Sequence, residues 1–404
     1  MKKKVYNLLI NNKIVFNIVK FLYDIYYYFI KLTVLGTLFK IFPIKKNKVV
    51  VCSYFGKGYG DNPKAIVNEL LKSKKDLDIV WTLDGENKNA TFPEGIRTVR
   101  YESIKYLYEL VTAKVWIDNS RKKFVPKKRK KQYYIQTWHA GLGFKKCEKE
   151  VEDVLPKSYV KRAKKDSINA DLFTSNSKWL TNLYRKYFWY DGEILEVGLP
   201  RNDILINQEK HDNIKKDVKK KLKIDAKSKI ILYAPTFRDY DDYSCYKIDV
   251  EKVISTLNEK TGDNWVFLVR FHPNVSKLAS ELGYKNVIDV SYYPDLYELL
   301  ITADYLISDY SSLSFDFSYL KKPVFLFATD IEAYKKDRDF LFDIRKVPFV
   351  LSESNEELIN NIKKFDNKKY QKDLIDFYDD IKLNETGKSA HEVAKIVLKE
   401  MGIE

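Results

Sequence analysis

Four histidines occur in the 404 residues, and two of them directly follow apolar runs of strand length. His139 closes QYYIQTW and opens AGLGFKK, while His272 closes WVFLVRF and precedes Pro273. Imidazole exchanges its proton near neutral pH, so a histidine held at a strand end is a candidate general base or acid. One such residue in each half of the chain makes a purely structural role for both less economical. His211 and His391 lie in Lys- or Glu-rich helical sequence and read as surface residues.

The neighbours of these two histidines suit an anionic ligand. Ala140, Gly141, Leu142 and Gly143 form a flexible loop whose N–H groups can approach a phosphate, and Lys145 and Lys146 follow it. Arg201 follows EVGLP. Pro235, Thr236 and Arg238 end ILYAPTFR, and Arg270 stands two residues before His272. Each guanidinium is a rigid fork that matches phosphate. In DYLISDYSSLSFDF, Ser311 and Ser312 fall at a helix start, where hydroxyls cap orphan N–H groups and the same groups attract anions. Two histidines, up to three arginines and a helix start suit a diphosphate-bearing substrate and a hydroxyl nucleophile. Neither a Walker loop nor a GxGxxG fingerprint is present, which disfavours a dehydrogenase. The Asp-x-Asp strings at 239–241 and 337–339 sit in charge-rich loops and read as solvated. No metal site and no cofactor are expected.

These residues need elements to position them. After Pro43, short apolar runs alternate with amphipathic stretches. Strands are expected at 48–53, 77–82, 114–118, 132–137, 170–174 and 193–198, with helices at 63–74, 102–112 and 177–188. The rhythm restarts with strands at 229–234, 265–270, 286–290, 304–308 and 322–327 and helices at 249–260, 294–302 and 311–320. The tail, 354–402, reads as helical with a break near Asn384–Gly387. Such βαβ alternation predicts an α/β protein of two doubly wound parallel sheets, with ligands at the carboxyl ends of the strands. The Lys-rich stretch 207–228 has no run of strand length and reads as a linker, with a helix in it.

Composition excludes several classes. At 45% hydrophobic and 32% charged the chain can bury a large core, so global disorder is excluded. Cys52, Cys147 and Cys245 are too few for a disulfide framework and match no zinc spacing. The net charge is +16, but residues 1–48 hold ten Lys against Asp24 alone, and RKKFVPKKRKK at 121–131 holds eight basic residues. These two patches account for the excess, unlike the long groove of a nucleic-acid binder. In the N-terminal stretch Leu8, Val15, Ile18, Leu22, Ile25, Phe29 and Leu32 recur at helical spacing, with Lys13, Lys20 and Lys31 opposite. Charges interrupt it too often for the roughly 18 apolar residues of a spanning helix. The expectation is an amphipathic segment, 1–44, lying on an anionic membrane surface through residues 1–42.

The ordered set QTWHAGLGFKK, EVGLPRNDIL, ILYAPTFRD, VRFHP and DLYELLITADYLISDYSSLSFDF resembles the CDP-glycerol glycerophosphotransferase family of teichoic-acid and capsule synthesis. GYGDNPKAI and KPVFLFATDIEAY resemble it as well, and the match runs from about residue 48 to 390. The resemblance implies a GT-B fold: an acceptor domain over 45–206, a CDP-donor domain over 229–382, and a last segment, 383–404, crossing back to the first domain. It implies a peripheral protein on the cytoplasmic face of the membrane. The implied reaction moves a polyol phosphate, with glycerol phosphate leading, from a CDP-linked donor to a hydroxyl on a lipid-linked glycan or polymer.

Within that resemblance His139 matches the proposed catalytic histidine. Arg201, Pro235, Thr236, Arg270, His272, Ser311, Ser312 and Asp316 match donor-binding positions. His272 is also carried as catalytic, and Ala140, Gly141 and Arg238 as donor-binding. Many members have Gly-Thr-Pro where this chain has Ala140–Gly141–Leu142, which leaves CDP-ribitol open beside CDP-glycerol. The rival readings are a nucleotide-sugar glycosyltransferase of the same fold and a non-catalytic membrane or nucleic-acid binder. The latter leaves the strand-end His and Arg residues unexplained.

Overall fold

Val49, Val50 and Val51 are fully buried because strand β1 (Lys45–Cys52) lies inside a sheet covered on both faces. In the computed structural model the described residues are 25–85, 91–123, 126–238, 243–271, 282–337 and 339–403, with Val15, Ile18, Val19, Phe21 and Leu22. The first sheet contains β1, β2 (Asp78–Leu83), β3 (Ile96–Arg100), β4 (Ala113–Asp118), β5 (Tyr133–Gln136), β6 (Leu172–Ser175) and β7 (Glu193–Glu196). Its order is β3-β2-β1-β4-β5-β6-β7 and every pairing is parallel.

The second sheet contains β8 (Lys229–Tyr233), β9 (Trp265–Val269), β10 (Val287–Asp289), β11 (Tyr305–Ser308), β12 (Val324–Phe327) and β13 (Val350–Ser352). Its order is β10-β9-β8-β11-β12-β13, again all parallel. Both sheets are therefore doubly wound, with strand order reversing beside β1 and beside β8. Each has an apolar cluster on either face. Two strands escaped the sequence reading. Edge strand β3, IRTVR, has one buried residue, and β13 is three residues long.

The stretch 207–228 is not a bare connection. It holds the helix His211–Lys221, whose Val218 joins Leu205 and Ile224 in the core of the second sheet. His211, expected at the surface, is buried, and its Nε2–H donates to the Ile204 carbonyl at 2.7 Å. The imidazole ties the start of that helix back to the preceding turn, Asp203–Ile206. His391 is half exposed near Glu69.

The basic run 121–131 is also divided. Lys122 is buried against Asp118 at 2.6 Å, and Arg121 is buried against Glu148 at 3.0 Å and Asp166 at 3.4 Å. Buried charges persist when paired and hydrogen-bonded, which these are. Residues 1–14 and Lys20 lie outside the described residues. The chain enters through a π-helical stretch, Ile25–Leu35, in which Lys31 is buried and donates to the Glu102 carbonyl. Lys31 thus faces the protein, contrary to the spacing argument, because a π-helix does not keep the 3.6-residue period. The helix Ser389–Met401 returns to the first sheet, where Val393, Ala394, Val397 and Met401 pack with Val49, Val51 and Ile79.

Candidate active site

The carboxyl ends of β4, β5 and β7 place three loops side by side. Asn119 follows β4, and its carbonyl oxygen lies 2.9 Å from His139 Nδ1. A carbonyl only accepts, so Nδ1 carries the proton and Nε2 keeps a lone pair. Burial lowers the imidazole pKa below 6.5, against the pull of the Asn119 carbonyl and Asp61. His139 is therefore a neutral imidazole near pH 7, the form a general base requires. Its ring leans on Trp138 at 4.3 Å and on Tyr54 at 5.7 Å between centroids.

The backbone around His139 is bent into place. Trp138, Tyr54, Phe55 and Asp61 all have φ between 43° and 61°. Each such non-glycine residue costs about 1–3 kcal/mol and persists only where its surroundings fix it. The fixing bonds are visible. Asn62 Nδ2 donates to the Trp138 carbonyl at 3.0 Å, and the Tyr54 hydroxyl to Asp61 at 2.8 Å. Gly141 has no room for a side chain, since a Cβ would sit 2.8 Å from Leu199 and 3.0 Å from the Asn176 amide.

Arg201, in the turn Pro200–Asn202 after β7, ties the two sheets together. Its Nη1 reaches Asp61 at 2.9 Å and the His139 carbonyl at 2.5 Å, while Nη2 reaches Asp316 at 2.9 Å. Burial opposes the charge on Arg201, and Asp316 and Asp61 outweigh it. Asp316 belongs to the helix Leu313–Ser318 after β11 and also accepts from the Tyr297 hydroxyl at 2.9 Å. His139, Ala140, Gly141, Arg201 and Asp316 are thus one assembly, between the carboxyl edges of both sheets.

On the second sheet, Pro235 is buried after β8 and Thr236 donates to Asp309 from its N–H and its hydroxyl. Arg238 is buried, with its fork engaged by Asp309 at 2.9 Å and Asp330 at 2.8 Å, and it braces that loop. Arg270 gives Nη1 to the carbonyls of Val290 and Tyr293, both at 2.9 Å. The Ser311 hydroxyl accepts from Leu313 N–H at 3.2 Å, whereas Ser312 makes no side-chain cap bond. Ser312 faces the first domain's loop, its Cβ 3.8 Å from where a Gly143 Cβ would stand. His272 and the string 239–241 lie outside the described residues, as does Arg338.

Lys146, expected to serve an anion, pairs with Asp339, and Lys145 sits over the Tyr334 ring. Residues 144–146 pair with 339–341 through Leu341 N–H to the Phe144 carbonyl and Lys146 N–H to the Asp339 carbonyl. Leu142 and Phe144 are buried in the second sheet's core. The loop that leaves His139 in the first domain is therefore embedded in the second.

Sequence reasoning missed Asn119, Asp61, Asn62 and Glu385. Asp61 and Asn62 stand in GYGDNPKAI, a string noted for resemblance and not carried into the site. Glu385 stands in the break between two tail helices, where the sequence marks only the interruption. Burial pushes its carboxyl up to about 8, against hydrogen bonds from Asn202, Asn176 and Leu199 and with Asp316 adding to the rise.

Comparison with known proteins places this geometry. Residues 35–399 match the family model described as CDP-glycerol:poly(glycerophosphate) glycerophosphotransferase. A teichoic acid poly(glycerol phosphate) polymerase of Bacillus spizizenii is 32% identical over 370 residues, covering 89% of this chain and 93% of that one. The enzyme of the same name from Bacillus subtilis is 32% identical over 88% of this chain, which spans 49% of its length. Among solved structures, the wall teichoic acid polymerase TagF superposes with a TM-score of 0.79 at 29% identity, over 91% of this chain and 93% of that chain.

Proposed function

The chain belongs to the CDP-glycerol:poly(glycerophosphate) glycerophosphotransferase family, and on that premise we propose that it transfers glycerol phosphate from CDP-glycerol to a hydroxyl of a teichoic-acid acceptor, releasing CMP. The acceptor oxygen bonds to the phosphorus that bears glycerol. The bridging P–O bond breaks with its electrons going to CMP, and the hydroxyl proton goes to His139 Nε2. The observation that carries this role is the Nδ1–H donated to the Asn119 carbonyl, which leaves the Nε2 lone pair to act as the base. Phosphoryl transfer depends mostly on positioning and electrostatics. In this reading Ser311, Ser312, Arg270 and His272 hold the diphosphate. Thr236 and Arg238 shape that loop through Asp309, and Arg201 keeps the two edges in register.

The same reading places the protein on the cytoplasmic face of the membrane, held by residues 1–42. Its support is the row of exposed apolar side chains Ile18, Phe21, Leu22, Tyr26, Ile30, Val34, Leu38 and Ile41 ahead of the first strand. Among the described residues no helix is long and apolar enough to cross a membrane. The function is tested by offering CDP-glycerol, CDP-ribitol and UDP-sugars with a lipid-linked acceptor. CMP should be released from CDP-glycerol at least about tenfold faster than from CDP-ribitol. UDP release without CMP release would overturn the proposal.

A further inference from the structure

Between the helices Asn367–Ile381 and Ser389–Met401 the chain crosses back to the first sheet. It is stitched down along the way by Asn384 N–H to the Asn176 carbonyl at 2.7 Å, Asn384 Nδ2 to the Glu196 carbonyl at 2.7 Å and the Thr386 hydroxyl to the Val197 carbonyl at 2.7 Å. Ser389 and Ala390 N–H groups then bond Asp203 at 3.0 and 2.7 Å. In the middle of this segment the Glu385 side chain turns into the junction. Its Oε1 accepts from Asn202 Nδ2 at 2.7 Å and from Asn176 Nδ2 at 2.9 Å, and its Oε2 accepts from Leu199 N–H at 3.2 Å.

Those three donors flank the site. Leu199 and Asn202 bracket Arg201, so one carboxyl holds both ends of the turn that presents it. Asn176 is the group against which Gly141 packs, and Nδ2 also donates to the Tyr319 hydroxyl on the second domain at 3.0 Å. The approach is close enough that a Cβ on Gly198 would lie 2.6 Å from Glu385 Oε2.

We propose that Glu385 is a positioning residue for the transfer: it fixes the Arg201 turn directly and the loop after His139 through Asn176. The inference rests on the reading of His139 as the base in this cleft. Protonated or not, both carboxyl oxygens keep lone pairs, so the side chain can accept from all three donors. A glutamine of the same shape must turn its NH₂ toward at least one of them, leaving a donor unsatisfied. The bonds of Asn384, Thr386, Ser389 and Ala390 do not involve the carboxyl, so they still dock the segment when it is replaced.

The test is Glu385→Gln, assayed for CMP release from CDP-glycerol and for melting temperature. We expect kcat lower by about tenfold, since small displacements of catalytic groups are costly, with KM within about threefold and melting little changed. Asn202→Ala should show the same pattern, and the double variant should lose little beyond the worse single, because the two act as one unit. A Glu385→Gln kcat within about twofold of wild type, or losses that multiply in the double variant, would overturn the proposal. If Glu385→Gln does not fold, the kcat of Asn202→Ala decides by the same thresholds. A wild-type protein that releases no CMP refutes the transfer reading, and the His139 imidazole NMR signal then decides this one. It shifts in Glu385→Gln if the carboxyl positions the loop and stays if it does not.

Discussion

The proton on His139 is placed by a backbone carbonyl, and that choice sets how activity should follow pH. Burial lowers the imidazole pKa below 6.5. Protonation removes the base, so the acid limb of kcat/KM should be centred below pH 6.5. An acid limb centred above about pH 7 would mean that another group is the base. His139→Ala should cost roughly 10²–10⁴ in turnover, with the melting temperature close to wild type; activity above half of wild type would exclude the role. His139 could be picked out as a candidate because it directly follows a strand that the sequence predicts. Asn119, Asn62 and Glu385 were not, because their parts depend on loops that meet only in three dimensions. Nothing in NETG says that its Glu will lie among Leu199, Asn202 and Asn176.

At the scale of elements, most strands and helices could be read because continuous apolar runs mark buried parallel strands. Edge strand β3 could not, since only Val99 of its five residues is buried. The sequence of 140–143 reads as a flexible phosphate cradle, yet its Leu142, and Phe144 just beyond it, are core residues of the other sheet. Aromatic contact with Phe315, at 4.9 Å between centroids, seats Phe144 there. Phe144→Leu and Phe267→Leu should each destabilise by roughly 1–2 kcal/mol, within the usual range for a core change. Only the former lies on the strand-to-strand path from His139, so only it should lower kcat, by about tenfold. Equal kcat losses in both, measured below both melting temperatures, would mean that the loop's embedding has no bearing on the reaction.

For the whole molecule, the two sheets and their facing edges followed from the repeated βαβ rhythm, while the arrangement of the basic residues did not. Arg121 and Lys122 serve the interior, while Lys123, Lys127, Lys130 and Lys131 stay exposed, so the proposed anchor, residues 1–42, has to be tested apart from that run. Protein lacking residues 1–42 should lose sedimentation with anionic liposomes and keep donor binding. Liposome binding as tight as that of the full chain would reject residues 1–42 as the anchor. The returning helix carries one more consequence. Val49 and Val51 belong to one apolar cluster with Val393 and Val397, which come about 340 residues later in the chain. At roughly 5–20 residues per second the ribosome needs about 20–70 s to supply those partners. Throughout that interval the nascent first half displays an unsealed valine surface, so a chaperone has its longest claim on this protein before the last thirteen-residue helix emerges.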